Sequence, residues 1–356
     1  MRAGETRYSN TLRVMSEPGE EIATQRPPTL AEVAELAGVS LKTASRAING
    51  EKYVAADTRE RVLATAESIG FQLNAMASQL KRGVVSSAIG LITGDLSNPF
   101  YSMLAKGVER EIRSRGLQLM IASSDETPDA ELSLIDEFVA RRVRGLIVVS
   151  TMSSHEGLRD VQDKGIPVVF VDRAAVGLSA DSIVLDNYSG ARAAVEQLLA
   201  LGHRRIGYVS HLSRLQPHWE RIAGFSDAMT AAGIDNWNEF VEDGAFDIDS
   251  ARVAVTSLLS RDTRPTAIFT SNNRITIGAL SAIAELAPNT ALIGFDDFDV
   301  AEMLGVTTVS YDPADMGRIA AQRVLDSQAL RTQQHHSIVV PTRVVQRGSG
   351  ERRPAS

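Results

Sequence analysis

The run TLAEVAELAGVSLKTASRAING, Thr29 to Gly50, holds two short helix signals around a glycine. Thr29-Leu-Ala-Glu32 has capping-box spacing, in which a Thr hydroxyl and a Glu carboxylate satisfy each other's orphan backbone donors. Leu30, Val33, Ala34 and Ala37 follow as one apolar stripe, and Gly38-Val39 breaks the helix. Ser40 can cap a second helix, Leu41 to Ile48, ended by Asn49-Gly50. Ala34 and Gly38 are small enough for the two helices to approach closely. The second helix then presents Leu41, Lys42 and Arg46 at its outward N-terminal face, as a helix placed in a major groove does. A third start is expected at Asp57-Thr-Arg-Glu60, another capping-box pattern, with Val62, Leu63, Ala66 and Ile69 as its core stripe and Gly70 as its stop. The reading is a three-helix head of about 45 residues.

Outward of this head the charge changes sign. Residues 29–83 carry seven Lys/Arg against six Asp/Glu, and residues 84–356 carry 26 against 34. A small head can therefore bind DNA while an acidic remainder repels it. The 356-residue chain has no cysteine, so disulfides and thiolate metal sites are excluded. No stretch reaches the roughly 18 apolar residues of a membrane span, and residues 1–28 lack the apolar core of a secretory signal. They read as a disordered leader, and the location as cytoplasmic.

From Ala88 onward, short apolar runs alternate with amphipathic stretches. Strands are expected at Ala88–Thr93, Leu117–Ala122, Gly145–Ser150, Val168–Asp172, Ile206–Ser210, Ala267–Thr270 and Ala291–Phe295. Such alternation implies parallel sheets covered by helices, and about ten strands fit two doubly wound lobes better than one sheet. Ligands in such sheets bind beyond the carboxyl ends of the strands. Asp95, Asn98, Phe100, Arg173, Arg221, Phe246, Asn272 and Asp296 fall at those ends or in adjoining loops. Arg, Asn and Asp suit bidentate hydrogen bonding to vicinal hydroxyls, and Phe offers a stacking face, so a sugar or related polyol is the expected ligand. Structural roles stand beside these: an acid after Gly-Phe can cap the following helix, and Arg221 can pair with an acid. His218 and Trp219 can stack on a ligand or pack a lid.

Enzyme signatures are missing from the sequence. There is no GxGxxG after a strand, no GxxxxGK[ST], no HExxH and no GxSxG. His335-His336 is an isolated pair without ligand spacing. Neither catalysis, a cofactor nor a metal is expected.

The run from Thr29 to Gly50, then Val54, Thr58-RERV and Gly70-FQLNAMASQLKRG, resembles the DNA-binding head and hinge of the lac repressor (LacI/GalR) family. The resemblance continues through Ile89-GLITGDLSNPF, Arg142-VRGLIVVS, Gly165-IPVVFVDR, Leu201-GHRRIGYVS, Glu220-RIAGF, Ser271-NN and Ile293-GFDD. It implies a multidomain protein, an all-α three-helix helix-turn-helix head followed by an α/β two-lobed periplasmic-binding-protein-like effector domain. The implied domains are the head at 29–74, hinge helix and linker at 75–86, effector and dimerisation domain at 87–347, and disordered tail at 348–356. One lobe would take about 87–185 and 312–336, the other about 186–311 and 337–347. DNA contacts carry over to Thr29, Ser40, Leu41, Lys42, Thr43, Ser45, Arg46, Asn49, Asn74, Ala77 and Leu80, with Leu80 wedged into the minor groove. Effector contacts carry over to Arg221, Asn272 and Asp296, and pocket lining to Phe100, Arg173 and Phe246. The implied partners are operator DNA, a small-molecule effector and a second copy of the chain.

The implied function is a transcriptional regulator, by default a repressor of carbohydrate-utilisation genes. A corepressor-dependent regulator sensing a purine shares every motif. An exported sugar-binding protein shares the body but has no need of the head. The sequence departs from the family pattern at Ala44, Leu73, Arg144, Asn273 and Tyr311, and no heptad run after Pro341 supports a tetramer.

Overall fold

The computed structural model describes residues 26, 28–71, 87–211, 214–329 and 335–354. The chain divides into two compact units, Met1–Val84 and Val85–Ser356.

In the first unit, α1 (Leu30–Leu36), α2 (Leu41–Ile48) and α3 (Ala56–Ser68) pack on Val33, Ala34, Ala37, Ala44, Ala47, Val62 and Ala66. The Thr29/Glu32 capping box forms: Thr29 N donates to Glu32 Oε2 at 2.6 Å and Glu32 N to Thr29 Oγ1 at 3.3 Å. Ser40 caps α2 through Thr43 N at 3.1 Å. Three expectations are corrected. Gly38 is required by its φ of +64°, not by helix approach, since a Cβ there would meet nothing. The helix α3 begins one residue before Asp57, with Ala55 at its N-cap and no side-chain cap, so the second capping box does not form. Asp57 instead places its charge in the first turn, where the helix dipole favours it. Leu63 is 46% exposed, because Val62 and Ala66 supply the buried face.

The second unit contains two six-stranded sheets. The first is ordered β11-β5-β4-β3-β1-β2, using β1 (Ala88–Thr93), β2 (Gln118–Ser123), β3 (Leu146–Val148), β4 (Val168–Val171), β5 (Asp181–Leu185) and β11 (Ser337–Val340). The second is ordered β12-β10-β9-β8-β6-β7, using β6 (Ile206–Val209), β7 (Val241–Glu242), β8 (Ala267–Thr270), β9 (Ala291–Phe295), β10 (Thr307–Ser310) and β12 (Arg343–Val345). The two orders match element for element, and β12 pairs antiparallel with β10. Central strands are buried along their whole length, which is why they read as unbroken apolar runs. The chain passes between sheets at 186, 311–312 and 341–342. The expected single C-terminal strand of the second lobe is therefore two strands, one in each sheet. Ser337–Val340 pairs with β5, so the first lobe runs to about 340 rather than 336.

The helices of this unit are α4 (Pro99–Arg113), α5 (Pro128–Ala140), α6 (Arg159–Asp163), α7 (Asn187–Ala200), α8 (Gln216–Ala231), α9 (Ile248–Leu259), α10 (Asn273–Leu286) and α11 (Pro313–Ala329). The pair α4 and α11 meet backbone to backbone: a methyl at Gly107 would overlap the Ala314 carbonyl, and one at Gly317 the Leu104 carbonyl. Gly107→Ala is expected to cost about 1–3 kcal/mol by overpacking. Urea unfolding of the variant checks this, and an unchanged midpoint would show that the crossing has slack.

The expected disordered tail is also corrected, through Pro354. Ser349 is buried, accepts from Thr307 N at 2.8 Å and donates to Leu292 O at 2.6 Å. Glu351 accepts from Thr307 Oγ1 at 2.8 Å and Gln197 Nε2 at 2.6 Å. These partners lie far away in sequence, so the polar tail carries no local sign of order.

Candidate effector cavity and recognition helix

A cavity of about 610 Å³ opens beyond the carboxyl ends of the strands, between the lobes of the second unit. All eight expected residues line it: Asp95, Asn98, Phe100, Arg173, Arg221, Phe246, Asn272 and Asp296. Several also hold local structure. Asn98 caps α4 through Phe100 N at 3.0 Å, and Asn272 caps α10 through Ile275 N at 2.9 Å. Asp95 accepts from Ser97 N at 2.8 Å. Phe100 is buried in edge contact with Tyr101 and Tyr311, whereas Phe246 is 58% exposed at the rim.

Arg221 sits in the second turn of α8, buried under the cavity. Its Nε donates to Asn187 Oδ1 at 2.8 Å, its Nη1 donates to the Ser271 carbonyl, and its Nη2 is 3.6 Å from Asp296 Oδ1. Its guanidinium carbon lies 3.7 Å from the Phe295 ring centroid. Asp296 follows β9 with φ +66°, accepts from Tyr311 Oη at 2.8 Å and from the backbone N–H of Asn273 at the start of α10, and no helix directly follows it in the chain. Burial raises the Asp296 carboxyl above its ordinary range, against the pull of Arg221 and the Tyr311 hydroxyl.

Arg173 follows Asp172 after β4. It holds Glu126 through two parallel bonds of 2.8 Å and donates to the Ser150 carbonyl at 2.8 Å. Burial works to raise the Glu126 carboxyl, but the Arg173 guanidinium outweighs it and the net shift is downward. Asp172 has φ +68° and stands at the end of β4 as Asp296 stands at the end of β9, matching strands of the two sheets. Its carboxyl is pushed up to about 6 by burial, with Arg173 and Arg221 opposing.

Sequence reasoning missed Tyr101, Glu126, Asp172, His211, Arg214, Asp247, Ser271 and Arg274, all of which line the cavity. Asp172 carried a usable signal, the repeat of Phe170-Val171-Asp172 against Gly294-Phe295-Asp296. Glu126 had none, because only the sheet order brings it to a residue 47 positions away. His218 lines the cavity, with Nδ1 3.1 Å from Ser210 Oγ, while the half-exposed Trp219 is not among the lining residues. The departures at 273 and 311 gain roles: Tyr311 holds Asp296, and Asn273 donates across the cleft to Asn98 Oδ1 at 3.0 Å. Arg274 crosses the same gap to Asp95 and to Ser97 Oγ, the latter at 2.8 Å.

In the head, Leu41 and Lys42 are exposed, and Lys42 has no partner among the described residues. Arg46 lies 3.5 Å from Glu51, and Asn49 closes the helix by donating to Ser45 O at 2.7 Å. Thr29, Ser40 and Thr43 are engaged at helix starts. Asn74, Ala77 and Leu80 lie outside the described residues.

A helix-turn-helix head and a two-lobed body with an interlobe cavity define a ligand-responsive DNA-binding regulator. Residues 29–74 match the model of bacterial regulatory proteins of the lacI family, and residues 86–332 match that of periplasmic binding proteins and the sugar-binding domain of the LacI family. The chain belongs to the lacI family of bacterial transcription regulators. The HTH-type transcriptional regulator GalS of Salmonella typhimurium is 32% identical over 307 residues, 85% of this chain and 90% of that protein. A putative ribose operon repressor from Burkholderia thailandensis superposes with a TM-score of 0.64 at 31% identity, over 73% of this chain and 99% of that one. The transcriptional regulator CelR, solved as its cellobiose complex, gives 0.67 at 28% identity, over 90% and 99%. Among the described residues no helix is long and apolar enough to cross a membrane, and no His/Asp/Glu group could hold a metal ion.

Proposed function

We propose that this regulator represses carbohydrate-utilisation genes as a cytoplasmic homodimer and is controlled by a sugar or related polyol bound in the interlobe cavity. It acts by binding and not by catalysis. The observation that carries the effector class is the convergence, in one cavity, of carboxylates, amides and a buried arginine fork around aromatic faces. Such groups recognise adjacent hydroxyls and one face of a sugar ring. Two recognition helices, each presenting Leu41, Lys42 and Arg46, would read a near-palindromic operator through the major groove. Effector binding changes the angle between the lobes, and DNA affinity follows by linkage.

Selection of genomic fragments on the full-length protein at about 100 mM salt, then footprinting with and without a sugar library, tests this. A two-fold symmetric footprint that a sugar weakens is expected; no enriched fragment, or a footprint indifferent to every sugar, would count against it. Leu80→Ala is expected to weaken the footprint at least about tenfold with effector affinity retained, as loss of a minor-groove wedge requires. Equal operator affinity would remove that role.

A further inference from the structure

The four arginines of the cavity are all engaged by the protein itself. Arg173 is held by Glu126 and the Ser150 carbonyl, Arg221 by Asn187, the Ser271 carbonyl and Asp296, and Arg274 by Asp95 and Ser97. Arg214 donates to the Glu126 carbonyl at 2.5 Å. An anionic ligand that takes Arg173, Arg221 or Arg274 therefore competes with the carboxylate already paired to it. The cost is heavy where the partner is a buried acid, because that acid is left uncompensated.

The lining acids exceed the arginines. Six carboxylate residues face four arginines, a formal difference of two negative charges. The two lining histidines do not offset it: burial holds His211 down at about 4 and also lowers His218, so both are neutral near pH 7. One acid is open to a ligand. Asp172 is 8% exposed, and its carboxylate accepts no hydrogen bond among the described residues. Its nearest cation, Arg173 Nε, stands 3.7 Å away and is itself without a hydrogen-bond partner. The site thus holds an excess of carboxylates, with Asp172 as its unbonded acceptor.

We propose that the cavity selects against anions: it takes a neutral polyhydroxylated ligand, or its amino-substituted counterpart, and rejects phosphorylated and carboxylated sugars. This deepens the sugar reading above and rests on it. Asp172 is the specificity-determining residue, because it accepts from a ligand hydroxyl or ammonium and meets a phosphate or carboxylate as a like charge. Like charges a few ångströms apart in a half-screened site correspond to roughly a ten- to hundredfold loss of affinity.

The test titrates the full-length protein with inorganic phosphate and with matched sets comprising a neutral aldose, its 2-amino derivative, its 6-phosphate and its uronic acid. Thermal stabilisation and release from the selected operator are followed together. Inorganic phosphate is expected to give no saturable shift beyond chloride at equal ionic strength. Within each set that binds, the anionic members should be at least about tenfold weaker. A saturable phosphate shift, or a phosphate or uronate preferred to its neutral parent, overturns the proposal while leaving a sugar sensor in place. Binding of a neutral nucleobase with no response to any sugar would instead uphold the charge selection and defeat the sugar reading.

Discussion

Arg221→Ala should abolish effector-dependent release from the operator while leaving operator binding in the absence of effector nearly unchanged. Arg221 is 6% exposed and joins α7 through Asn187, the end of β8 through the Ser271 carbonyl, and the end of β9 through Asp296. Truncation removes the cation from beneath two buried carboxylates and unfastens three elements of one cavity wall. Breaking a buried ion pair by removing one partner costs about 3–5 kcal/mol, which for a body of this size lowers the melting temperature by roughly 10 °C. The conservative Arg221→Lys keeps the charge but loses the fork that spans Asn187 and Ser271, so it should fold better and still respond poorly. Operator release by either variant at wild-type effector concentration would take Arg221 out of effector recognition.

Asp172→Asn should stabilise the protein. The folded carboxyl titrates at about 6 against an ordinary 3.8, so the native state holds its proton more tightly than the unfolded chain does. The sign follows: below pH 4 both states are protonated and no cost exists, the cost grows as pH rises through the window from about 4 to 6, and above that window it is complete. A shift of this size corresponds to about 3 kcal/mol at neutral pH. The neutral amide escapes most of it, so the variant should melt higher at pH 7.5 and lose the wild-type decline in stability between pH 4 and 6. Effector affinity should fall, because a carboxylate acceptor is replaced by an amide that also donates. Equal stability of the two proteins across that window would show that Asp172 is better solvated than its position implies.

These predictions turn on residues of unequal legibility in the sequence. The helix-turn-helix was readable almost to the residue, because caps, glycine breaks and apolar stripes act within four residues of one another. The strands β1, β8 and β9 were equally plain, since a strand buried on both faces must be apolar throughout. The strands β5 and β10 were not. Asp181 opens β5 and is neutralised by Arg323, 142 residues on, at 2.9 Å. β10 reads Thr-Thr-Val-Ser, and its two buried threonine hydroxyls are satisfied by Asp297 and Glu351. Buried polar groups need partners, and their partners came from other elements.

What the sequence by itself determined was the division into a helical head and a two-lobed body, the strand ends that line the interlobe cavity, and the family. The tertiary structure alone decided the charge of the cavity. It brought Glu126 onto Arg173 and Asp95 onto Arg274, and left the Asp172 carboxylate without a hydrogen bond among the described residues. Helix and strand signals arise from neighbours along the chain, whereas the charge state of a buried group depends on everything packed within a few ångströms of it.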